Sequence, residues 1–364
     1  MYSLLRSLLF RLNAESAHHL TLHVLRIAGN FPLTYWLLTQ LYKTHPKPVH
    51  AFGLTFKNPV GLAAGYDKDA VAIKGLAALG FGHLEVGTVT PRPQPGNARP
   101  RVFRLLEDEA VINRMGFPGK GAEFVGMSLR AALNGRRGNL LSNAQIASGK
   151  NTLRNDIIIG VNLGKNKDTP LEESANDYIE LMRCFMVSAD YLTINVSSPN
   201  TVGLRRLQGR EMLENLLGAI QKEREIYLTP NPSPERRGGF VPILVKLSPD
   251  LSDEELDDAI GVILDKGMDG IIATNTTLAR DGLSSKQQGE AGGLSGGPLR
   301  VRSETVLHQV VKRVDGRVPI VSAGGIMNPD DAKRRLDLGA TLIQLYTGLI
   351  YAGPGLVKKI MMDQ

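Results

Sequence analysis

Eight short, apolar, β-rich segments recur between residues 60 and 348, and each runs into polar or glycine-rich sequence. They are VGLAAG (60–65), HLEVGTVT (83–90), IIIGVNLG (157–164) and YLTINVSS (191–198), then PILVKLSP (242–249), GIIATNTT (270–277), VPIVSAGG (318–325) and LIQLYTG (342–348). Helical patterns fill the gaps. In SDEELDDAIGVILDKG (252–267), Ser252 and Glu255 form a capping box and Gly267 is a stop signal. NPDDAKRRLDLGA (328–340) opens on Asn-Pro and closes on glycine in the same way. Continuously apolar strands separated by helices imply a parallel sheet buried on both faces. Eight such units favour closure into a (β/α)8 TIM barrel, an α/β fold, over an open doubly wound sheet. No GxGxxG opens a helix after the first strand, which removes the main support for a dinucleotide-binding fold.

A barrel of this kind places its site where the strands end. The first ends bring Gly65 with Asp67 and Lys68, then Thr88 and Asn162. Asn195 with Ser198 follows, then Lys246, then Thr274 with Asn275. The last two supply Gly324 with Gly325, and Tyr346 with Thr347. Alone, each is an ordinary loop former or cap. Together they make a ring of donors from all eight strands, hence a catalytic or ligand-binding mouth. The small residues and backbone amides of SAGGI and QLYTG suit a phosphate, and GGLSGGPL (292–299) adds another glycine-rich turn. Ser198 closes an apolar strand, yet no His-Asp pair stands near it in sequence.

The 364 residues suit two average domains or one large α/β barrel with additions. A surplus of 43 Lys+Arg over 36 Asp+Glu fits an anionic ligand or an anionic membrane surface. The basic residues are scattered and aromatics make up only 5%, so nucleic acid is not expected as a partner. The single cysteine, Cys184, excludes an internal disulfide and sits in a helical pattern that reads as core. His19 and His23 have i,i+4 spacing but no third ligand, so no metal site is expected.

Residues 1–45 precede the barrel region, 46–364. Leu4, Leu5, Leu8, Leu9 and Leu12 share one helical face with Arg6 and Arg11 away from it, and PLTYWLLTQLY (32–42) adds a second apolar stretch. No run reaches the ~18–20 residues of a membrane span. From pattern alone, a helical pair lying in a membrane interface and a hairpin packed on protein are equally open. Two polar segments, 133–156 and 228–240, interrupt the βα alternation and read as exposed insertions.

Several motifs are specific enough to carry a family. TFKNPVGLAAGYDKD (55–69), GTVTPRPQPGNARPRVFRL (87–105), INRMGF (112–117), GVNLGKNKDTP (160–170), INVSSPNTVGLRRLQ (194–208) and IIATNTTLAR (271–280) resemble dihydroorotate dehydrogenases. So do GGLSGGPL, SAGGI and QLYTGLIYAGP, and the match spans nearly the whole chain outside the insertions. The helical extension, with Ser198 where soluble class 1 relatives carry cysteine, resembles the membrane-associated, quinone-reducing class 2. The resemblance implies oxidation of dihydroorotate to orotate in pyrimidine synthesis, with FMN passing electrons to a membrane quinone.

It further implies that Ser198 is the base. Lys68, Asn113, Arg114, Met115, Gly116 and Phe117 would meet the substrate, with Asn195, Asn200, Asn275 and Thr276. FMN would lie on Ala64, Gly65, Lys68, Thr88, Asn162 and Asn195, and on Lys246, Thr274, Gly296, Gly325, Tyr346 and Thr347. His18 and Arg104 would border the quinone, although the adjacent His19 leaves the histidine register open. Tyr66 stands where a smaller residue is expected. A monomer or weak oligomer on the cytoplasmic face of a bacterial membrane is the expected setting, since no mitochondrial targeting stretch is seen. The alternatives are a soluble class 1-type enzyme or other FMN barrel oxidoreductase, and a non-redox, phosphate-ligand-binding barrel that docks on membranes.

Overall fold

A computed structural model describes residues 2–133, 157–227 and 240–363. The two insertions therefore fall outside the described residues except at their edges, Leu133 and Phe240. The strands in chain order are β1 (Val49–Ala51), β2 (Leu54–Phe56), β3 (Val60–Leu62), β4 (His83–Val89), β5 (Val102–Leu105), β6 (Ala110–Asn113) and β7 (Ile158–Leu163). Then follow β8 (Tyr191–Asn195), β9 (Ile243–Leu247), β10 (Gly270–Ala273), β11 (Gly293–Gly296), β12 (Ile320–Ala323) and β13 (Leu342–Leu345). Strands β3, β4, β7, β8, β9, β10, β12 and β13 close into a parallel barrel in that order. These are the eight expected segments. Each stops before its polar tail, because those last residues leave the ladder to form the βα loops.

The wall is buried on both sides. Outward residues such as Leu84, Ile194 and Ile343 pack under the helices. Inward residues Tyr191, Leu244, Ile272, Val321 and Leu342 fill the lumen, which Phe52 and Phe56 of the β1–β2 hairpin join from one end. That hairpin was not expected. Its turn carries Phe52 at φ 54 and Gly53 at φ 76, and phenylalanine is no usual signal for a left-handed turn position. A second unexpected element is the antiparallel sheet β5-β6-β11, which lies outside the barrel.

The capping box forms as expected: Ser252 Oγ accepts from the Glu255 amide and Glu255 accepts from the Ser252 amide, opening the helix Asp253–Asp265. Asn328 caps Pro329–Asp337 by accepting from the Asp331 amide. Cys184 corrects the sequence expectation. The helix Ser174–Phe185 buries Tyr178, Leu181, Met182 and Phe185, and residue 184 falls on its exposed face.

The extension forms three helices rather than a pair, Tyr2–Leu9, Ala14–Asn30 and Pro32–Leu41. The middle one meets the helix Ile73–Ala77 so closely that a Cβ on Gly75 would stand 2.1 Å from the Leu25 carbonyl oxygen. Only glycine permits that approach. The buried Glu15 accepts from Arg101 Nη2 at 2.7 Å and from Arg99 Nη2 at 3.2 Å, fixing the extension to the segment before β5. Among the described helices, none is long and apolar enough to cross a membrane.

Candidate active site

One cavity opens at the carboxyl ends of the barrel strands. Ala64, Gly65, Lys68, Thr88, Asn195 and Ser198 line it from the first half of the barrel, and Lys246, Thr274, Gly325, Tyr346 and Thr347 from the second. Asn113 at the end of β6 and Met115, Gly116 and Phe117 just beyond it also line the cavity, with Asn200, Asn275, Thr276 and Gly296. The expected site residues thus converge from distant parts of the chain. Of the expected substrate and cofactor residues, two do not line the cavity. Asn162 lies beneath it, fully buried. The Arg114 guanidinium is held elsewhere, paired with Glu290 at 2.6 Å and lying 4.6 Å from the Phe103 ring centre.

The floor is a chain of amides. Asn275 Nδ2 donates to Asn195 Oδ1 (3.3 Å), and Asn195 Nδ2 donates to Thr88 Oγ1 and Asn162 Oδ1 (both 2.9 Å). Asn162 Nδ2 then donates to Glu85 Oε1 at 2.8 Å. Every amide is oriented by its neighbours, so the polar edge offered to a ligand is fixed in advance. Two buried polar atoms of the lining, Thr276 Oγ1 and Gln344 Oε1, have no hydrogen-bond partner. Such orphans are costly in a closed protein and suit a polar ligand that completes them.

Cations sit at two points of the lining. Burial pushes the Lys68 ammonium down to about 8, partly opposed by Asp69 and Glu15, and its Nζ donates to the Gly65 carbonyl at 2.5 Å. Burial also lowers Lys246, and the Glu85 carboxylate 3.9 Å away opposes that shift. On the far wall, Gly325 at φ 71 turns the chain against Arg300, whose Cα a Cβ would meet at 2.3 Å. Ser303 Oγ (2.8 Å) and the buried Arg335 Nη2 (2.9 Å) both donate to the Gly324 carbonyl and brace this turn. Ser295 and Thr347 pair their hydroxyls at 2.8 Å beside it.

Ser198 is buried at the lip, and its Oγ accepts from the Asn200 amide at 3.3 Å. The Thr201 hydroxyl, three residues on, is buried with no partner. Phe117, also in the lining, holds φ 53. A non-glycine residue in that region is strained, and such strain gathers at functional sites.

His18 and Arg104 stand apart from the cavity, toward the extension. The His18 ring packs edge-on against Tyr66 at 5.0 Å, and Tyr66 against Tyr346 at 5.7 Å. An aromatic path thereby joins the extension to a cavity residue. Burial, aided by Lys68, pushes His18 down to about 3, so it is neutral. His19, by contrast, is exposed and stands 3.8 Å from Glu15. The Arg104 guanidinium lies 4.7 Å from the Phe10 ring centre and donates to the carbonyls of Leu9 and Leu12. Tyr66, larger than expected, is what fills the space between His18 and Tyr346.

Residues 48–363 match the dihydroorotate dehydrogenase family model. The chain belongs to the dihydroorotate dehydrogenase family. Proteins named dihydroorotate dehydrogenase (quinone) from Shewanella woodyi and Shewanella oneidensis are 43% and 44% identical to it. Each match covers 99% of this chain, and 97% and 98% of the respective relatives. Among solved structures, DHODH from Eimeria tenella in complex with ferulenol superposes with a TM-score of 0.82 at 36% identity, covering 98% of this chain and 93% of that one. The ligand-free form from the same organism gives 0.76 at 38% identity, covering 93% of each chain.

Within this dihydroorotate dehydrogenase scaffold, several lining or supporting residues escaped sequence reasoning: Glu85, Gln344, Ser295 and Thr201. Glu85 and Gln344 had a usable signal, since each is a polar residue in the middle of an otherwise apolar strand segment (HLEVGTVT and LIQLYTG). Ser295 lay in a glycine-rich turn and Thr201 in a polar loop, where a hydroxyl is unremarked.

Proposed function

We propose that this cavity holds FMN and dihydroorotate together, and that the chain oxidises dihydroorotate to orotate and passes the electrons to a membrane quinone. The observation that carries it is the convergence of donor amides, two lysines and a braced glycine turn on one cavity. The residues fit the cofactor: Thr276 and Gln344 present orphaned polar atoms. Gly325, Ser295 and Thr347 form a small-residue cradle suited to a phosphate. Bound FMN would supply the hydride acceptor and the two-electron redox chemistry.

The chain's own residues supply the rest. Lys68 would hold the substrate carboxylate. Asn113, Asn195, Asn200 and Asn275 offer both donors and acceptors, as the alternating carbonyl and N–H edge of a dihydropyrimidine requires. Met115, Gly116 and Phe117 would close the substrate side. Lys246 would face the flavin ring, where a fixed cation favours negative charge. Ser198 would take the C5 proton while the C6 hydride departs. A serine hydroxyl is a weak base, so its own proton must pass outward through hydroxyls or water. Thr201, buried and unpartnered in the same loop, would serve as a hydroxyl of that relay.

Residues 1–45 would rest on a membrane as a peripheral unit. Leu4, Leu33, Trp36 and Leu41 are more than half exposed, and no described helix spans a bilayer. His18, Arg104 and Tyr66 would border the quinone between that surface and the flavin. The cytoplasmic face is the one where a nucleotide precursor is available. Releasing the chromophore from purified protein and weighing it tests the cofactor, and following orotate formation with a quinone acceptor tests the reaction. A colourless protein that FMN cannot reconstitute would overturn both.

A further inference from the structure

Glu85 lies inside the barrel beneath the cavity and is about 1% exposed. Its carboxylate accepts four hydrogen bonds: Asn162 Nδ2 and Gln344 Nε2 at 2.8 Å, Tyr191 OH and Thr193 Oγ1 at 3.2 Å. Asn162 can only donate here, because its own oxygen already accepts from Thr88 and Asn195. Both carboxylate oxygens are thus matched by donors, as an acceptor-only group requires. Lys246 Nζ stands 3.9 Å from Oε1. Leu244, Ile272, Val321 and Leu342 fill the apolar part of the same lumen. Burying two charges there is costly, and an apolar pair of similar volume would pack as stably.

We propose that Glu85 is the counter-ion that keeps Lys246 protonated at the floor of the cofactor site, and so a positioning residue for the reaction. The proposal rests on the flavin assignment above. Other titratable groups nearby cannot take this part. Tyr191 is held neutral by burial and by Glu85 itself. His83, two residues earlier on β4 with its ring 6.3 Å from that of Tyr191, is pushed down to about 3 by burial and is neutral. Lys68 is a second cation, and Tyr346, pushed up to about 12 by burial, is neutral. Glu85 is the anion that acts on Lys246 among the described residues.

Burial lowers the affinity of Lys246 for its proton and Glu85 raises it. Without the carboxylate, only the opposing effect of burial would remain, favouring the neutral amine until negative charge arrives on a reduced flavin. Reduction would then bring in an additional proton. The measurement is the midpoint potential of the bound flavin against pH, between about pH 6 and 9, which counts protons taken up per two electrons. Wild-type protein should take up one throughout. Glu85→Gln should rise toward two at the alkaline end. Adding Gln344→Glu, which returns an anion to the same cluster and restores its donor–acceptor match, should bring the count back to one. Equal counts in wild type and Glu85→Gln, each with flavin bound, would overturn the proposal. So would a wild-type count already near two, which needs no variant to fold. Wild-type protein without flavin would instead overturn the cofactor assignment, and this proposal with it.

Discussion

The barrel mouth and the N-terminal extension treat burial in opposite ways. At the mouth, Glu85, Thr88, Asn162 and Asn195 are buried and satisfied by one another. In the extension, Leu4 is 79% exposed, Leu33 68% and Trp36 55%. A dry site with oriented dipoles stabilises charge that appears during a reaction, while a set of apolar side chains left in water calls for a lipid or protein cover. The contacts that join the extension to the barrel include the Glu15–Arg101 ion pair and the ring sequence His18–Tyr66–Tyr346. Such a division suits a reaction in two halves, with reduction at the polar end and reoxidation at the apolar one.

Variants should separate the halves. Ser198→Ala should slow flavin reduction by dihydroorotate by about 10²–10⁴-fold in stopped-flow traces and leave quinone reoxidation at its wild-type rate. Equal slowing of both halves would break the division. Glu15→Ala strands Arg101, whose side chain is 7% exposed. Loss of that pair should lower unfolding stability by about 3 kcal/mol, read from chemical denaturation. An unchanged midpoint would mean that the other contacts of the extension, not this ion pair, hold it to the barrel. Replacing Leu33 and Trp36 by aspartate should weaken binding to anionic lipid vesicles by about 100-fold in sedimentation, with flavin reduction unchanged.

The smallest effect is a pH dependence at Lys68. Only the ammonium holds an anionic substrate, and it is lost as pH rises through about 8. KM for dihydroorotate should therefore be flat below that pH and climb about tenfold per unit above it. His18, neutral throughout, should add no inflection to reoxidation between about pH 5 and 8. An inflection there that vanishes in His18→Ala would sharpen its role into a proton donor.

The barrel itself was legible because a parallel strand buried on both faces is apolar along its length, and eight such stretches leave few topologies. The mouth was legible for the same reason, as polar residues stand out where those stretches end. Two kinds of feature were not. The β1–β2 hairpin hides behind Phe52 in a left-handed position, and β5, β6 and β11 are four-residue strands, the last pairing with β6 across about 180 residues of sequence. Cys184 was misplaced because a helical stretch rich in apolar residues still has an outward face, and 184 lies on it. Arg114 shows the limit of motif matching: INRMGF places its backbone beside the cavity, while Glu290 and Phe103 determine where the guanidinium goes.

The most direct measurement is anaerobic. Dihydroorotate is added to purified protein while the visible spectrum is followed, and then a soluble quinone, fumarate or NAD is offered in separate samples. The expected result is bleaching of a flavin band by dihydroorotate and its recovery with the quinone alone. A flavin band that dihydroorotate leaves untouched, or recovery with fumarate or NAD but not quinone, would contradict a quinone-linked dihydroorotate oxidation at this site.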